Sequence, residues 1–298
     1  MTIILGIFEE GLIYAIMALG VYITYKILDF PDLSVDGTFP LGAALTASLI
    51  VKGISPILAL PLSFLAGALA GCVTGLIHVK CRVRDLFSGI IVMTALYSIN
   101  LRIAGMKANL PFLSQDTIFD NQWTRTALPP FIKPYIMVIL LAVIVCICKL
   151  LLDWYLSTKS GYLLRAAGDN DVLVTSLAKD KGRVKIIGLA IANGFAALAG
   201  GVLSQKQAFF DISIGTGTMV FGLASVILGT QLFKRLGTLK TTTAVIAGAI
   251  LYKACVALVI SLRIVKAADL KLITAAILLL ILVISDSVKR RGTRHAGA

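Results

Sequence analysis

The stretch "FPDLSVDGTFPLGAALTA", Phe30 to Ala47, interrupts a long apolar run with two aspartates, a serine, two glycines and two prolines. It returns in altered form as "FFDISIGTGTM", Phe209 to Met219. Phe30, Asp32 and Ser34 align with Phe209, Asp211 and Ser213, and Leu33 and Val35 with Ile212 and Ile214. After one inserted residue, Gly37–Thr38 aligns with Gly217–Thr218 and Gly42 with Gly222; upstream, Ala18–Leu19 aligns with Ala197–Leu198. Shared polar residues inside apolar sequence point to an internal duplication.

The surroundings decide what kind of chain this is. Of 298 residues, 58% are hydrophobic and 14% charged, and the mean hydropathy is +0.94. A soluble domain carries nearly twice that charged fraction. Apolar segments recur near 8–26, 38–51, 55–77, 86–104, 131–152, 186–204, 218–233, 241–262 and 271–287. The expected fold is an all-α membrane protein, a polytopic bundle of 8–10 spans with discontinuous helices. The acidic start "MTIILGIFEEGL" does not read as a secretory signal. The five cysteines, mostly in apolar segments, read as reduced packing residues.

The net charge of +13 reads as a membrane-orientation signal rather than a nucleic-acid footprint. If the nine spans alternate, one side collects 18 of the 28 Lys and Arg. Its segments include "KCRVRD" (Lys80–Asp85), the long stretch Asp153–Lys185 and the tail "KRRGTRH". That side is expected to be cytoplasmic, which puts the C-terminus inside and the N-terminus outside.

Two spans, 38–51 and 218–233, are too short to cross. They cover about 21 to 24 Å at 1.5 Å per residue, against roughly 30 Å of hydrocarbon. Both follow the duplicated motif. With five spans between the copies, the halves enter the membrane in opposite directions, an inverted repeat. Broken backbone in lipid leaves N–H and C=O groups unpaired, so such breaks persist only inside protein or along a wet route. The residues assigned to a translocation pathway are therefore Asp32, Ser34, Asp36, Thr38, Asp211, Ser213, Thr216 and Thr218. The alternation of "FPDLSVD" suits an extended run, and Thr38 and Thr218 are candidate helix N-caps. The competing reading is a pair of ordinary interfacial loops with solvated aspartates.

The expected organisation is one transmembrane domain: a first repeat at 8–152, a cytoplasmic segment at 153–185, a second repeat at 186–287 and a basic tail at 288–298. Gly67, Gly71 and Gly75, and Ala192, Ala196 and Gly200, place small residues four apart where helices approach closely. Lys253 lies inside a span, either as a functional charge or as a snorkelling one. Asn100 and Asn193 are either interhelical hydrogen-bond partners or part of the route. In the cytoplasmic segment, Asp169 or Asn170 can cap a short helix, "DVLVTSLA", suited to a partner's groove or to anionic lipid.

"DLSVDGTFPLGAALTA", followed by "LLRAAGDN", "SLAKDKGRVK" and "GLAIANGFAALAGGVLS", resembles the permease subunits of bacterial ABC importers. The resemblance is to the branched-chain amino acid permease superfamily, in its tryptophan- or tyrosine-type branch, over about residues 8–285. It implies a permease for a small amino acid-like solute in the bacterial cytoplasmic membrane. It also implies an ATP-binding cassette subunit, an extracytoplasmic binding protein and a second permease copy as partners, besides membrane lipid. By the same resemblance Arg165, Asp169, Asn170, Asp171, Val172, Leu173, Ser176 and Leu177 carry the coupling contact with the ATPase. The Leu-Gly-hydrophobic run often found there reads "LAKD" (Leu177–Asp180) instead. The chain itself has no GxxxxGK[ST] loop, HExxH or GxSxG motif and two histidines, so no catalytic, metal or cofactor site is expected. An ion-coupled carrier with inverted repeats is the alternative reading, and a non-transporting scaffold is a third.

Overall fold

A computed structural model describes residues 2–126, 133–169, 180–233 and 239–261, with scattered positions from 272 to 283. Among them are ten α-helices and a two-stranded ladder. The helices are α1 (Thr2–Val21), α2 (Val35–Val51), α3 (Pro56–Lys80), α4 (Asp85–Ile103) and α5 (Gln122–Thr126). They continue with α6 (Lys133–Leu156), α7 (Lys159–Asp169), α8 (Lys181–Gln207), α9 (Thr218–Leu232) and α10 (Thr241–Ser261). Seven helical segments of the described residues are long and apolar enough to cross a membrane, and Val35–Val51 is a shorter apolar one. The protein is a polytopic helical bundle. Most of the last expected span, 271–287, lies outside the described residues.

The organising element is α8, buried along most of its length. On one side it meets α3, where Gly67 lies against Asn193 and Ala197, Gly71 against Leu189 and Gly75 against Ile186. A methyl group at Gly67 or Gly71 would run into the α8 backbone, so the small residues are what permits this contact. Another face meets α1 and α2. Glu9 pairs with Lys206 at 2.9 Å, Gly20 abuts Ala192, and Leu28 abuts Gly188. Numbers rise along one helix as they fall along the other, so α1 and α8, the helices preceding the two motif copies, run antiparallel. The duplicated sequence is therefore built twice in opposite senses.

The two halves interlock. In α10 Ile250 lies against Gly11, and Lys253 against Glu10, so α10 runs antiparallel to α1 as α3 does to α8. Each of these pairs joins an element before the segment 153–185 to one at or after its end. The main apolar core runs through α1, α6 and α8, with Ile13, Ile16, Leu141, Leu152, Leu189 and Val202 among its members.

Candidate functional site

After Val21 the first helix widens into a π-helical turn, Tyr22–Ile27. Leu28 N–H donates to Ile23 O at 2.9 Å and Phe30 N–H to Thr24 O at 2.8 Å. Asp29, at φ 51°, then turns the chain inward. The expectation of an extended run holds only as far as Leu33. Asp32 Oδ1 accepts the Ser34 backbone N–H at 2.9 Å and its hydroxyl at 2.6 Å, bending Ser34 into helical geometry at the start of α2.

Asp32, Ser34 and Thr38 are brought together, fully or almost fully buried, around Asn193 of α8. Asn193 Nδ2 donates to Asp32 Oδ2 at 2.7 Å and to Leu189 O at 3.1 Å. Asn193 Oδ1 accepts from Thr38 Oγ1 at 2.8 Å, with Ser34 Oγ 3.1 Å away. Ser34 has one hydroxyl hydrogen, and the shorter contact to Asp32 defines its direction. Asn193 is the thirteenth of 27 residues in α8, so the first break reaches the middle of the central helix rather than a surface loop. The solvated-loop reading fails here because the carboxylate has no exposure at all. Asn193 takes the structural role among its two alternatives, and Asn100 Nδ2 likewise donates to Gly37 O at 3.1 Å.

Asp36, the second residue of α2, points to the other repeat. Its Oδ1 accepts from Thr218 Oγ1 at 2.9 Å and from Met219 N–H at 2.7 Å, and its Oδ2 accepts from Gly217 N–H at 3.1 Å. The carboxylate of the first repeat thus caps the positive end of α9 in the second. This corrects the N-cap expectation. Ser34 and Gly217 occupy the N-cap positions, Thr38 is the fourth residue of α2, and Thr218 is the first of α9. The starts of the two short helices meet at Asp36.

The second break is more open. Phe209–Asp211 pairs antiparallel with Asn109–Pro111, and a 3-10 turn, Ile212–Gly215, follows. Asp211 Oδ1 accepts the Ser213 N–H at 2.8 Å and the Ser213 hydroxyl at 2.5 Å, the same turn as at Asp32–Ser34. Its other partner is Asn109 Nδ2 at 3.4 Å. Partial burial alone raises its pKa, but the Ser213 and Asn109 hydrogen bonds outweigh it and hold the carboxyl below the usual range. Ser213 and Thr216 are exposed.

In the segment 153–185, Arg165 sits on the exposed face of α7. With Tyr22, Asp153, Tyr162 and Lys240 it lines a polar cavity of about 280 Å³. Asp169 is the last residue of α7. Asn170, Asp171, Val172, Leu173, Ser176 and Leu177 lie outside the described residues. Lys253 does not snorkel: its ammonium pairs with Glu10 at 3.0 Å, over the ring of Tyr14. Glu10 and Tyr14 carried no functional reading in the sequence, although an acid and a base within two apolar spans are a signal for a buried pair.

The duplicated Asp-x-Ser turn thus stands ahead of both helix starts. The family described as "Branched-chain amino acid transport system / permease component" matches residues 3–284. The chain belongs to that family. A tyrosine transport system permease of Clostridioides difficile (strain R20291) is 44% identical over 279 residues, 94% of this chain and 90% of the relative. A ribose import permease of Haemophilus influenzae is 26% identical, covering 76% of this chain and 68% of its own. A probable branched-chain amino acid permease of Methanocaldococcus jannaschii is 27% identical, covering 72% and 70%. No solved structure matches the chain. This permease component is a multi-pass membrane protein of an ABC-type transport system.

Proposed function

We propose that this permease imports a small α-amino acid, of the kind named for the tyrosine relative, across the bacterial cytoplasmic membrane. In this reading a separate ATPase drives transport, an extracytoplasmic binding protein delivers the solute, and two permease copies share a lipid-embedded complex. The observation that supports it best is the meeting of the two helix starts at Asp36, in a family of transport permeases. Asp36 already fills the positive end of α9, and the exposed hydroxyls of Ser213 and Thr216 at the second break offer polar contacts to a passing solute. The proposed pathway runs from the open second break past Asp36 and Thr38 towards the first, with Asp32, Ser34 and Asn193 as the post that holds the first break in place. The units are those read from the sequence: repeats at 8–152 and 186–287, a coupling segment at 153–185 with Arg165 to Leu177 facing the ATPase, and a cytoplasmic tail.

The affinity needed in the membrane is low, because an external receptor concentrates the solute. Closure of the ATPase dimer pushes on the coupling segment. Since α3 grips α8 and α10 grips α1, the push shears one repeat against the other and reopens the seam on the opposite side.

The test is reconstitution with the ATPase and binding protein in vesicles whose ion gradients have been collapsed. Uptake of labelled amino acid that requires ATP is the expected result. Uptake that follows an imposed ion gradient and ignores ATP would overturn the proposal in favour of a secondary carrier.

A further inference from the structure

One charged pair lies inside the seam, away from the two motifs. Lys253 of α10 holds its ammonium 3.9 Å from the ring centroid of Tyr14 and 4.6 Å from that of Phe221, while donating to Glu10 Oε2 at 3.0 Å. Tyr14 is stacked between Phe221 at 5.2 Å and Phe39 at 5.9 Å, and Phe221 meets Tyr252 edge-on at 5.5 Å. The cluster draws on α1, α2, α9 and α10, from both halves, so it deforms whenever the halves move.

Aromatic faces with a carboxylate beside them are a receptor for an organic cation. Here the chain's own lysine fills it. The pair is asymmetric: the Lys253 side chain is 9% exposed and that of Glu10 is 51% exposed. The neighbouring Glu9–Lys206 pair is closed, at 17% and 16%. The first pair therefore presents an open carboxylate and a covered ammonium, whereas the second is shut on both sides.

We propose that Glu10, Lys253, Tyr14 and Phe221 form a recognition site for a zwitterionic amino acid, which enters between the two charges. The solute carboxylate takes Lys253, and its α-ammonium takes Glu10 and the ring faces. One internal ion pair is exchanged for two pairs with the solute, and no charge is left alone in the seam. A solute lacking the carboxylate strands the covered Lys253, which an apolar seam penalises strongly, and one lacking the ammonium leaves the half-exposed Glu10 without its partner. The site thus selects for both charges at once. This inference rests on the amino acid permease reading above.

The experiment measures direct binding to the purified permease in nanodiscs, without the external receptor, by saturation-transfer NMR. The probes are L-tyrosine, tyramine, which lacks the carboxylate, and 3-(4-hydroxyphenyl)propionate, which lacks the ammonium. The wild type is expected to bind L-tyrosine at least tenfold more tightly than either truncated probe. Lys253→Met removes the preference over tyramine, and Glu10→Gln removes the preference over the propionate. The E10K/K253E swap keeps an internal pair, and so the fold, and retains the preference with the solute reversed. Equal binding of the three probes to the wild type, or an unchanged order in all variants, overturns the site. The two readings fail separately. Wild-type vesicles that import no amino acid sink the proposed function, whereas vesicles that import tyrosine while the order ignores these variants sink this site alone.

Discussion

The two Asp-x-Ser turns share their local hydrogen bonds and differ in everything around them. At Asp32 the second carboxylate oxygen is met by Asn193 from the antiparallel repeat, and the whole group is buried. At Asp211 the remaining partner is Asn109, 3.4 Å away on a strand at the bundle's end, and Ser213 is exposed. The register that aligns Ala18–Leu19 with Ala197–Leu198 puts Tyr14 of α1 at the position of Asn193 of α8. A phenol ring cannot supply the amide that bridges carboxylate, serine and threonine, so the second turn has no matching post. The shared Asp-x-Ser turn is held as an anchor where α8 carries an amide, and stays more open, as the mouth of the proposed pathway, where α1 carries a ring in that place.

The largest expected contrast is between Asp32→Ala and Asp211→Ala. The first strands the Ser34 N–H and an Asn193 amide hydrogen, at about 1–3 kcal/mol for each buried group left unsatisfied, and leaves the Ser34 hydroxyl only its longer contact with Asn193 Oδ1. The second removes exposed contacts, at less than about 1 kcal/mol. Unfolding in detergent checks both, and equal losses would erase the distinction. Next come the paired glycines. A methyl group at Gly42 meets the backbone of Ala197, whereas at Gly222 it meets the Val21 side chain at 2.6 Å. Gly42→Ala is expected to cost about 1–3 kcal/mol as overpacking; Gly222→Ala costs less because a side chain rather than backbone stands in the way. A smaller effect, about 1 kcal/mol as for other lost caps, is expected for Asp36→Ala. Hydrogen exchange should rise at residues 217–221 and stay unchanged at 34–38.

The smallest is a pH effect. The Asp211 carboxyl is held below its ordinary value, so its contribution is complete above the unfolded value of about 3.9. It fades as pH falls through the depressed folded value. Asp211→Ala should flatten the acid limb of stability slightly, and an unchanged limb would remove the Ser213 hydrogen bonds from the account.

Much of this was legible in the sequence. Hydropathy and length gave the bundle, and the motif repeat gave two breaks followed by the helices Val35–Val51 and Thr218–Leu232; only the first stays too short to cross, because the 3-10 turn extends the second into the span-length segment Ile212–Leu232. The small-residue spacing at Gly67, Gly71 and Gly75 marked a face of α3 that packs closely, without naming α8 as its partner. The partners were not legible, because they come from residues about 160 to 240 positions away: Asn193 for Asp32, Thr218 for Asp36, Lys253 for Glu10. A local pattern marks where a chain bends. It does not say which side chain of another helix arrives to hold it. Thr38 and Thr218 show the cost of reading locally, since their hydroxyls serve the other repeat rather than their own helix ends.

The division between anchor and mouth is most directly tested by thiol accessibility in right-side-out vesicles. The permease would carry Val35→Cys or Thr216→Cys with its own five cysteines replaced. Val35 is fully buried beside the first turn, and Thr216 is exposed beside the second. A membrane-impermeant maleimide added outside should label Thr216→Cys rapidly and leave Val35→Cys unmodified. Labelling of both at the same rate, or of Thr216→Cys only from the inside, would contradict it.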